Sequence, residues 1–492
     1  MDQPATQNSV LAVAGVPKLE LPGLKSLING RHIDGEGEFS VFEKFTQQSI
    51  ATLPETTRSE VEQAIKALSS AFAKGAPSPN ERAKVLRKAA SLLDRARTRV
   101  AEVIIAESGF TLTDANLEID RSIVTLNLCA EEATRLVGEM VPFAASPGQH
   151  DRIGFTLRIP IGIVCAITPF NSPLNTVLHK VAPALAAGNA VILKPSNLTP
   201  LTAALLCEIL LEAGLPPGLL ALLHGSGDMV GRYLLEEQAI AFYSFTGSTR
   251  VGKIIQQAAG LRRTQLELGS IASTIVCADA DLDRAIPKIA NAAFRKAGQV
   301  CTSVQRLYIQ RRIADEITDS IVREAKKMPA GNPWKAETRV GPMISEAAAA
   351  RAESWVAEAT QAQARVLTGG GRSGSVMQPT VLTNVRPGLR VIDQEIFAPV
   401  VSLLIFDDVE EAIAQANSTP YGLAAGIFTR DVNCAIRASR ALRFGSVHIN
   451  ETSSSRGDAM PFGGVKDSGF GHEGPRYAIR EVTEERLVTI NN

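Results

Sequence analysis

Residues 161–173 read Ile161-Gly162-Ile163-Val164-Cys165-Ala166-Ile167-Thr168-Pro169-Phe170-Asn171-Ser172-Pro173. An apolar, β-branched run ends in a turn rich in proline and asparagine, and a helical pattern over 178–187 follows. A continuous apolar run of this kind fits a strand covered on both faces, as in a parallel sheet. The alternation recurs downstream, with strands expected over 190–193, 219–223 and 240–245 and a helix over 200–213 closed by Gly214 and Pro216-Pro217. Strands alternating with helices predict an α/β fold with a doubly wound parallel sheet. A second series follows Glu267, with strands over 274–277, 306–309 and 400–406 and helices over 281–297, 314–327 and 409–416. Two α/β units in tandem are the expectation.

Upstream, Thr57-Arg58-Ser59-Glu60 has capping-box spacing and predicts a helix from near residue 58. A further helical region over 80–108, stopped by Gly109, makes the first 140 residues mainly helical in expectation. The stretch 480–490, rich in Val, Thr and Glu, predicts an extended strand closing the chain.

A chain of 492 residues exceeds one ordinary core and predicts two or three domains. Lys plus Arg equals Asp plus Glu at 51 each, and no run of like charges restores a local field, so nucleic acid and anionic membranes are poor partners. A small molecule is the expected partner. The cysteines at 129, 165, 207, 277, 301 and 434 are scattered without Cys-x-x-Cys, which argues against a disulfide framework or a metal site and fits a reduced cytoplasm. Residues 1–23 lack the basic start of a signal peptide, and no apolar run approaches the ~20 residues of a spanning helix. Residues 1–24 are expected to be a flexible extension.

Chemistry concentrates in a few segments. Cys301 follows Gly298-Gln299-Val300, where the helix before it should have ended, so its thiol is placed to enter a cleft; Glu267 stands 34 residues earlier between two leucines. A thiol nucleophile and a carboxylate able to activate water suffice for covalent catalysis ending in hydrolysis. Alone, a cysteine is usually a small buried hydrophobe and a strand glutamate a salt-bridged edge residue. Asn171 stands at the carboxyl end of a strand, where its amide can face an oxyanion; by itself it is an ordinary turn former. Phe245-Thr246-Gly247-Ser248-Thr249-Arg250-Val251-Gly252 ends a strand and opens a helix, an arrangement that offers backbone N–H groups to a phosphate. Lys194, at another strand end, can reach ribose hydroxyls.

Taken in order, Pro-Phe-Asn (169–171), Lys-Pro-Ser (194–196), Phe-Thr-Gly-Ser-Thr-x-Val-Gly (245–252), Glu-Leu-Gly (267–269) and Gly-Gln-x-Cys (298–301) resemble the aldehyde dehydrogenase superfamily. Glu395-Ile396-Phe397-Ala398-Pro399, Asn417-Ser418-Thr419-Pro420-Tyr421-Gly422-Leu423 and Pro461-Phe462-Gly463-Gly464-Val465-Lys466-x-Ser468-Gly469 extend the likeness, which runs from about Leu27 to the end. The resemblance implies an NAD(P)-binding domain over 25–140 and 158–268, a catalytic domain over 269–472, and a bridging element over 141–157 and 473–492 that makes homodimers or homotetramers. It implies Cys301 as nucleophile, Asn171 with the Cys301 amide as oxyanion hole, and Glu267 as general base. NAD or NADP would lie along Ile167, Thr168, Pro169 and Phe170. Lys194, Ser196, Asn197 and Gly227 would hold the adenosine end, and Phe245, Thr246, Gly247, Ser248 and Val251 the pyrophosphate. Leu268, Gly269, Glu395 and Phe397 would hold the nicotinamide end.

Three positions depart from the family pattern. Ser270 and Ala398 stand where glycines are usual, adding β-carbons near the nicotinamide. Asn197 stands where NAD-preferring members often carry glutamate, which leaves NADP open. For the substrate, Arg295 matches an arginine of succinate-semialdehyde dehydrogenases, His179 replaces their second arginine, and Arg456 matches some phosphonoacetaldehyde and lactaldehyde dehydrogenases. With Thr302 beside the nucleophile, these residues imply a short aldehyde bearing an anion or a 2-hydroxyl. The bland alternatives are a surface helix position for Arg295 and a pair with Asp458 for Arg456. A CoA-acylating enzyme, or a non-catalytic protein on the same scaffold, is the rival function; Glu267 argues for hydrolysis.

Overall fold

The structure, a computed structural model, describes residue 17 and residues 19–491. Most of the extension expected over 1–24 lies outside the described residues. Leu19 and Leu21 are buried in the larger core, so the packed chain begins earlier than residue 25.

The apolar run that opened the sequence forms the strand Ile163–Ile167, buried along nearly its whole length. It lies inside an eight-stranded sheet, between the parallel strands Ala190–Lys194 and Ile240–Thr246. Leu220–Leu222 continues the parallel set on one side and Arg263–Glu267 on the other. Because strand order reverses at Ile163–Ile167, a crevice opens at the carboxyl edge beside it, the place where doubly wound sheets bind ligands. Register brings the motifs there: Ile167 pairs with Lys194 and Phe245, and Thr246 pairs with Glu267. Antiparallel strands complete the edges, Ser26–Ile28 and Arg31–Ile33 at one end and Gly469–Phe470 at the other.

The second unit is a seven-stranded sheet in which Ser273–Val276 lies between Arg306–Gln310 and Ala424–Phe428. Val400–Phe406, Thr380–Thr383 and Arg365–Thr368 extend it on one flank and Ser446–Ile449 on the other, with only the Arg365–Thr368 pairing antiparallel. Each sheet has its own apolar core. A third, three-stranded sheet pairs Thr483–Asn491 and Met140–Val141 with Arg152–Pro160, which runs beyond the boundary expected at 157.

Local signals held where they were strongest. Thr57 and Ser78 cap the helices Arg58–Ala73 and Pro79–Arg95 through reciprocal bonds with Glu60 and Glu81, each cap contributing about 1 kcal/mol. Other expectations need correction. The helical region over 80–108 breaks at Ala96 into two helices. The first 140 residues also contain a hairpin, Glu36–Phe42 with Ser49–Glu55, whose first strand is largely exposed and therefore lacks a clean apolar alternation. Arg480 and Glu481 end a helix, Pro475–Glu481, rather than starting the last strand. The helix expected over 281–297 stops at Phe294.

Candidate active site

That early stop shapes the site. Lys296, Ala297 and Gly298 all turn left-handed, at φ 52°, 53° and 66°. Non-glycine residues held there cost on the order of 1–3 kcal/mol each. At Gly298 a side chain is impossible, because a Cβ would lie 2.0 Å from the Ala398 carbonyl oxygen. The turn is held from three sides. Lys296 Nζ donates to Glu118 at 2.6 Å and stands 4.1 Å over the Phe110 ring. Gln299 donates from Nε2 to the Lys296 carbonyl and accepts from Ile344 N–H at 2.9 Å, while Asn171 Nδ2 donates to the Gln299 carbonyl at 2.9 Å. The next residues deliver Cys301 into a cavity of about 840 Å³.

The cavity joins the carboxyl edge of the first sheet to the Cys301 loop. Cys301, Glu267 and Asn171 all line it. Among the cysteines, Cys301 alone is not buried outright. Burial nevertheless pushes its thiol up to about 12, with Arg456 pulling the other way and Glu395, Glu267 and Glu473 reinforcing the rise. Glu267, at the end of its strand, is 3% exposed, and neither carboxylate oxygen has a hydrogen-bond partner. Burial, and then the Glu473 charge, hold its pKa well above the ordinary carboxylate range against Lys180 and Arg456. Glu473 itself is far below that range: burial opposes its charge, but Lys180 Nζ donates to it at 2.9 Å and Arg456 pairs with its other oxygen.

Every residue expected at the cofactor lines the same cavity. Ser248 caps the helix Thr249–Ala259, whose amino end opens at the strand edge where a phosphate is favoured. Thr168 Oγ1 and Thr246 Oγ1 are buried without partners, as expected of hydroxyls that await a polar ligand. Lys194 is buried, its Nζ donating to the Pro195 carbonyl at 3.1 Å, and burial lowers its pKa to about 8. Phe170 and Phe397 meet edge to face, centroids 5.8 Å apart. Near them Ser270 N–H donates to Glu395 at 3.0 Å, and Gly269 leaves room for that carboxylate: a Cβ there would stand 3.2 Å from Glu395 Oε2. Burial raises Glu395 to about 7. These groups fit a dinucleotide.

Residues 32–488 match the aldehyde dehydrogenase family. The chain belongs to that family. It is an NAD(P)-dependent aldehyde dehydrogenase, and similar proteins place it further. A 3-sulfolactaldehyde dehydrogenase of Priestia aryabhattai is 44% identical over 467 residues, covering 94% of this chain and 98% of that one. Aldehyde dehydrogenase 21 of Physcomitrella patens, solved with the reaction product succinate, superposes with a TM-score of 0.92 at 37% identity, covering 95% of this chain and 98% of its own. Glyceraldehyde-3-phosphate dehydrogenase GapN of Methanocaldococcus jannaschii, complexed with NADP, gives a TM-score of 0.89 at 36% identity, covering 94% and 100%.

At the substrate end the dehydrogenase differs from expectation in its arginines. Arg295, Thr302 and Arg456 line the cavity, but His179 does not. It is 1% exposed and bonds through Nε2 to Asp458 at 3.1 Å; burial lowers its pKa, so its neutral form is favoured. Arg121, which drew no attention in the sequence, takes a place on the cavity wall and forks onto Asp458 at 2.8 and 3.2 Å. Arg456 therefore pairs with Glu473 and not with Asp458. Arg295 is no surface residue either: it is buried, and its Nη2 donates at 2.8 Å to Ser454, whose hydroxyl meets Thr302 at 3.2 Å. Lys180, Glu473 and Ser454 were equally invisible beforehand, because a helical lysine or a loop serine carries no pattern of its own.

Proposed function

We propose that this aldehyde dehydrogenase oxidises a short aldehyde carrying an anionic group, with or without a 2-hydroxyl, to its carboxylic acid through a Cys301 thioester that water hydrolyses. The observation that carries the substrate reading is Arg295: a buried guanidinium on the cavity wall beside Cys301, bonded to a hydroxyl rather than a carboxylate. An arginine held this way keeps donors free for an anion. The names of two relatives agree, one for a sulfonated lactaldehyde and one solved with succinate.

In this reading Cys301 sulfur bonds to the carbonyl carbon, and the oxygen, now an alkoxide, is met by Asn171. One Nδ2 hydrogen of Asn171 is spent on the Gln299 carbonyl, which fixes the amide and leaves its second N–H to donate. When bound, NAD(P) accepts the hydride that leaves this carbon. Glu267, unpaired in its pocket, then takes a proton from water as the oxygen attacks the thioester, and the carbon–sulfur bond breaks to return the thiol. Cytoplasmic residence and assembly through the three-stranded sheet as a homodimer or homotetramer complete the proposal. On that sheet Ile153 pairs directly with Ile490, both half exposed, and Met140 and Leu157 share their face.

Arg295→Ala tests the substrate reading. It should lower kcat/KM for anionic aldehydes by about 10–100-fold, the worth of a charged hydrogen bond, while changing propanal little. Equal losses on both would remove Arg295 from substrate binding.

A further inference from the structure

Charged side chains at the substrate end of the cavity are balanced almost completely. Arg121 is matched by Asp458, and Lys296 by Glu118. Lys180 and Arg456 share Glu473. From the start of the helix Leu112–Arg135 the buried Asp114, holding a 2.9 Å bond from Thr111 Oγ1, is the largest charge acting on Arg295. The other titratable groups facing this space lean to neutrality: His179 is lowered by burial, Cys301 is pushed to about 12, Glu267 is raised well above its usual range, and Glu395, toward the cofactor end, stands at about 7. Five cations (Arg121, Lys180, Arg295, Lys296 and Arg456) therefore face four anions (Asp114, Glu118, Asp458 and Glu473). The surplus is a single positive charge, and Arg295, hydrogen-bonded to Ser454 alone, is where it is not locally matched.

We infer that the site selects the charge of the substrate's anionic group as well as its presence: aldehydes bearing a monoanion, sulfonate or carboxylate, are accepted, and an isosteric dianion is discriminated against. This rests on the reading that Arg295 receives the anion. One negative charge neutralises the buried surplus, whereas a second would be an unpaired charge in a poorly solvated space, which is costly. Shape cannot supply this selection, because a sulfonate and a phosphonate present the same tetrahedron of oxygens.

The test uses the wild-type enzyme and three 2-hydroxy aldehydes of equal length, ending in methyl, sulfonate or phosphonate, with kcat/KM measured across pH. The sulfonate is expected to exceed the methyl compound at every pH. It should exceed the phosphonate by about tenfold or more once the phosphonate has lost its second proton. Below that ionisation the two anions should converge. Taking the ratio of the two anionic substrates cancels the titrations of Glu267, Cys301 and Glu395. Asp458→Asn, which keeps an oxygen toward Arg121 and His179 while removing one negative charge, should narrow the high-pH ratio several-fold. If the sulfonate is no better than the methyl aldehyde, the anion reading itself falls. If both anions beat the methyl aldehyde but the phosphonate matches the sulfonate at all pH values, the charge inference alone is overturned. The wild-type comparison stands even if the Asp458 variant does not fold.

Discussion

Glu267 is a buried carboxyl with no hydrogen bond to stabilise its charge, so burial and the neighbouring Glu473 favour its protonated form. The raised pKa fixes the sign of a pH effect. If Glu267 is the base for deacylation, kcat must rise with pH through a range above that of an ordinary carboxylate, because only the ionised form takes the proton from water. Glu267→Gln is expected to give a burst of reduced cofactor followed by a steady rate about 10²–10⁴-fold lower, and to flatten that ascending limb. A steady rate unchanged by the substitution would assign the water's proton to another group. At the same scale, Arg456 is one partner in a triad with Glu473 and Lys180 and lies 3.9 Å from the Phe462 ring centroid. Its loss would disturb Glu473 and hence Glu267, so its removal should alter the pH profile as well as KM, unlike Arg295→Ala.

The element that most needs support is the turn Arg295–Gly298, with its left-handed residues between a helix and the nucleophile. Lys296 joins it to the helix Leu112–Arg135 through Glu118, whose other oxygen accepts from Leu174 and Asn175 N–H at 2.9 and 3.2 Å. Glu118 thus ties the start of the helix Asn175–Ala187, the turn bearing Asn171 and the turn bearing Cys301 into one unit. Lys296→Met leaves Glu118 buried and uncompensated, and a loss of about 3–5 kcal/mol in stability is expected. Adding Glu118→Gln should restore part of it, a coupling readable from denaturant midpoints of the single and double variants. Strict additivity would show that the pair does not hold the turn. The helix expected over 281–297 erred here for a physical reason: Arg295, Lys296 and Ala297 are good helix formers, and contacts with Glu118, Phe110 and Ala398 override their preference.

On the scale of the molecule, the three-stranded sheet leaves Met140, Ile153 and Ile490 at least half exposed on one face. A row of apolar side chains beside an open sheet edge is a surface that soluble proteins ordinarily cover. Ile153→Asp combined with Ile490→Asp should reduce the assembly seen by light scattering to smaller species, with the cavity residues untouched. An unaltered mass would place the interface elsewhere. The described residues contain no helix long and apolar enough to cross a membrane, in keeping with the sequence.

What the sequence determined by itself was local: the capping boxes at Thr57 and Ser78, the apolar strands, and the strand–turn–helix segments that carry Asn171, Lys194 and Ser248. These depend on neighbours a few residues apart, and because strands of a parallel sheet share one carboxyl edge, the motifs at their ends had to converge. Which charge answers which was decided only in three dimensions. Arg121 meets Asp458 across 337 positions and Lys180 meets Glu473 across 293. No spacing rule anticipates such pairs, because burial forces each charge to find a partner among whatever the packed helices and loops bring within reach. That pairing removed His179 from the cavity wall, put Arg121 on it, and left Arg295 without a carboxylate of its own.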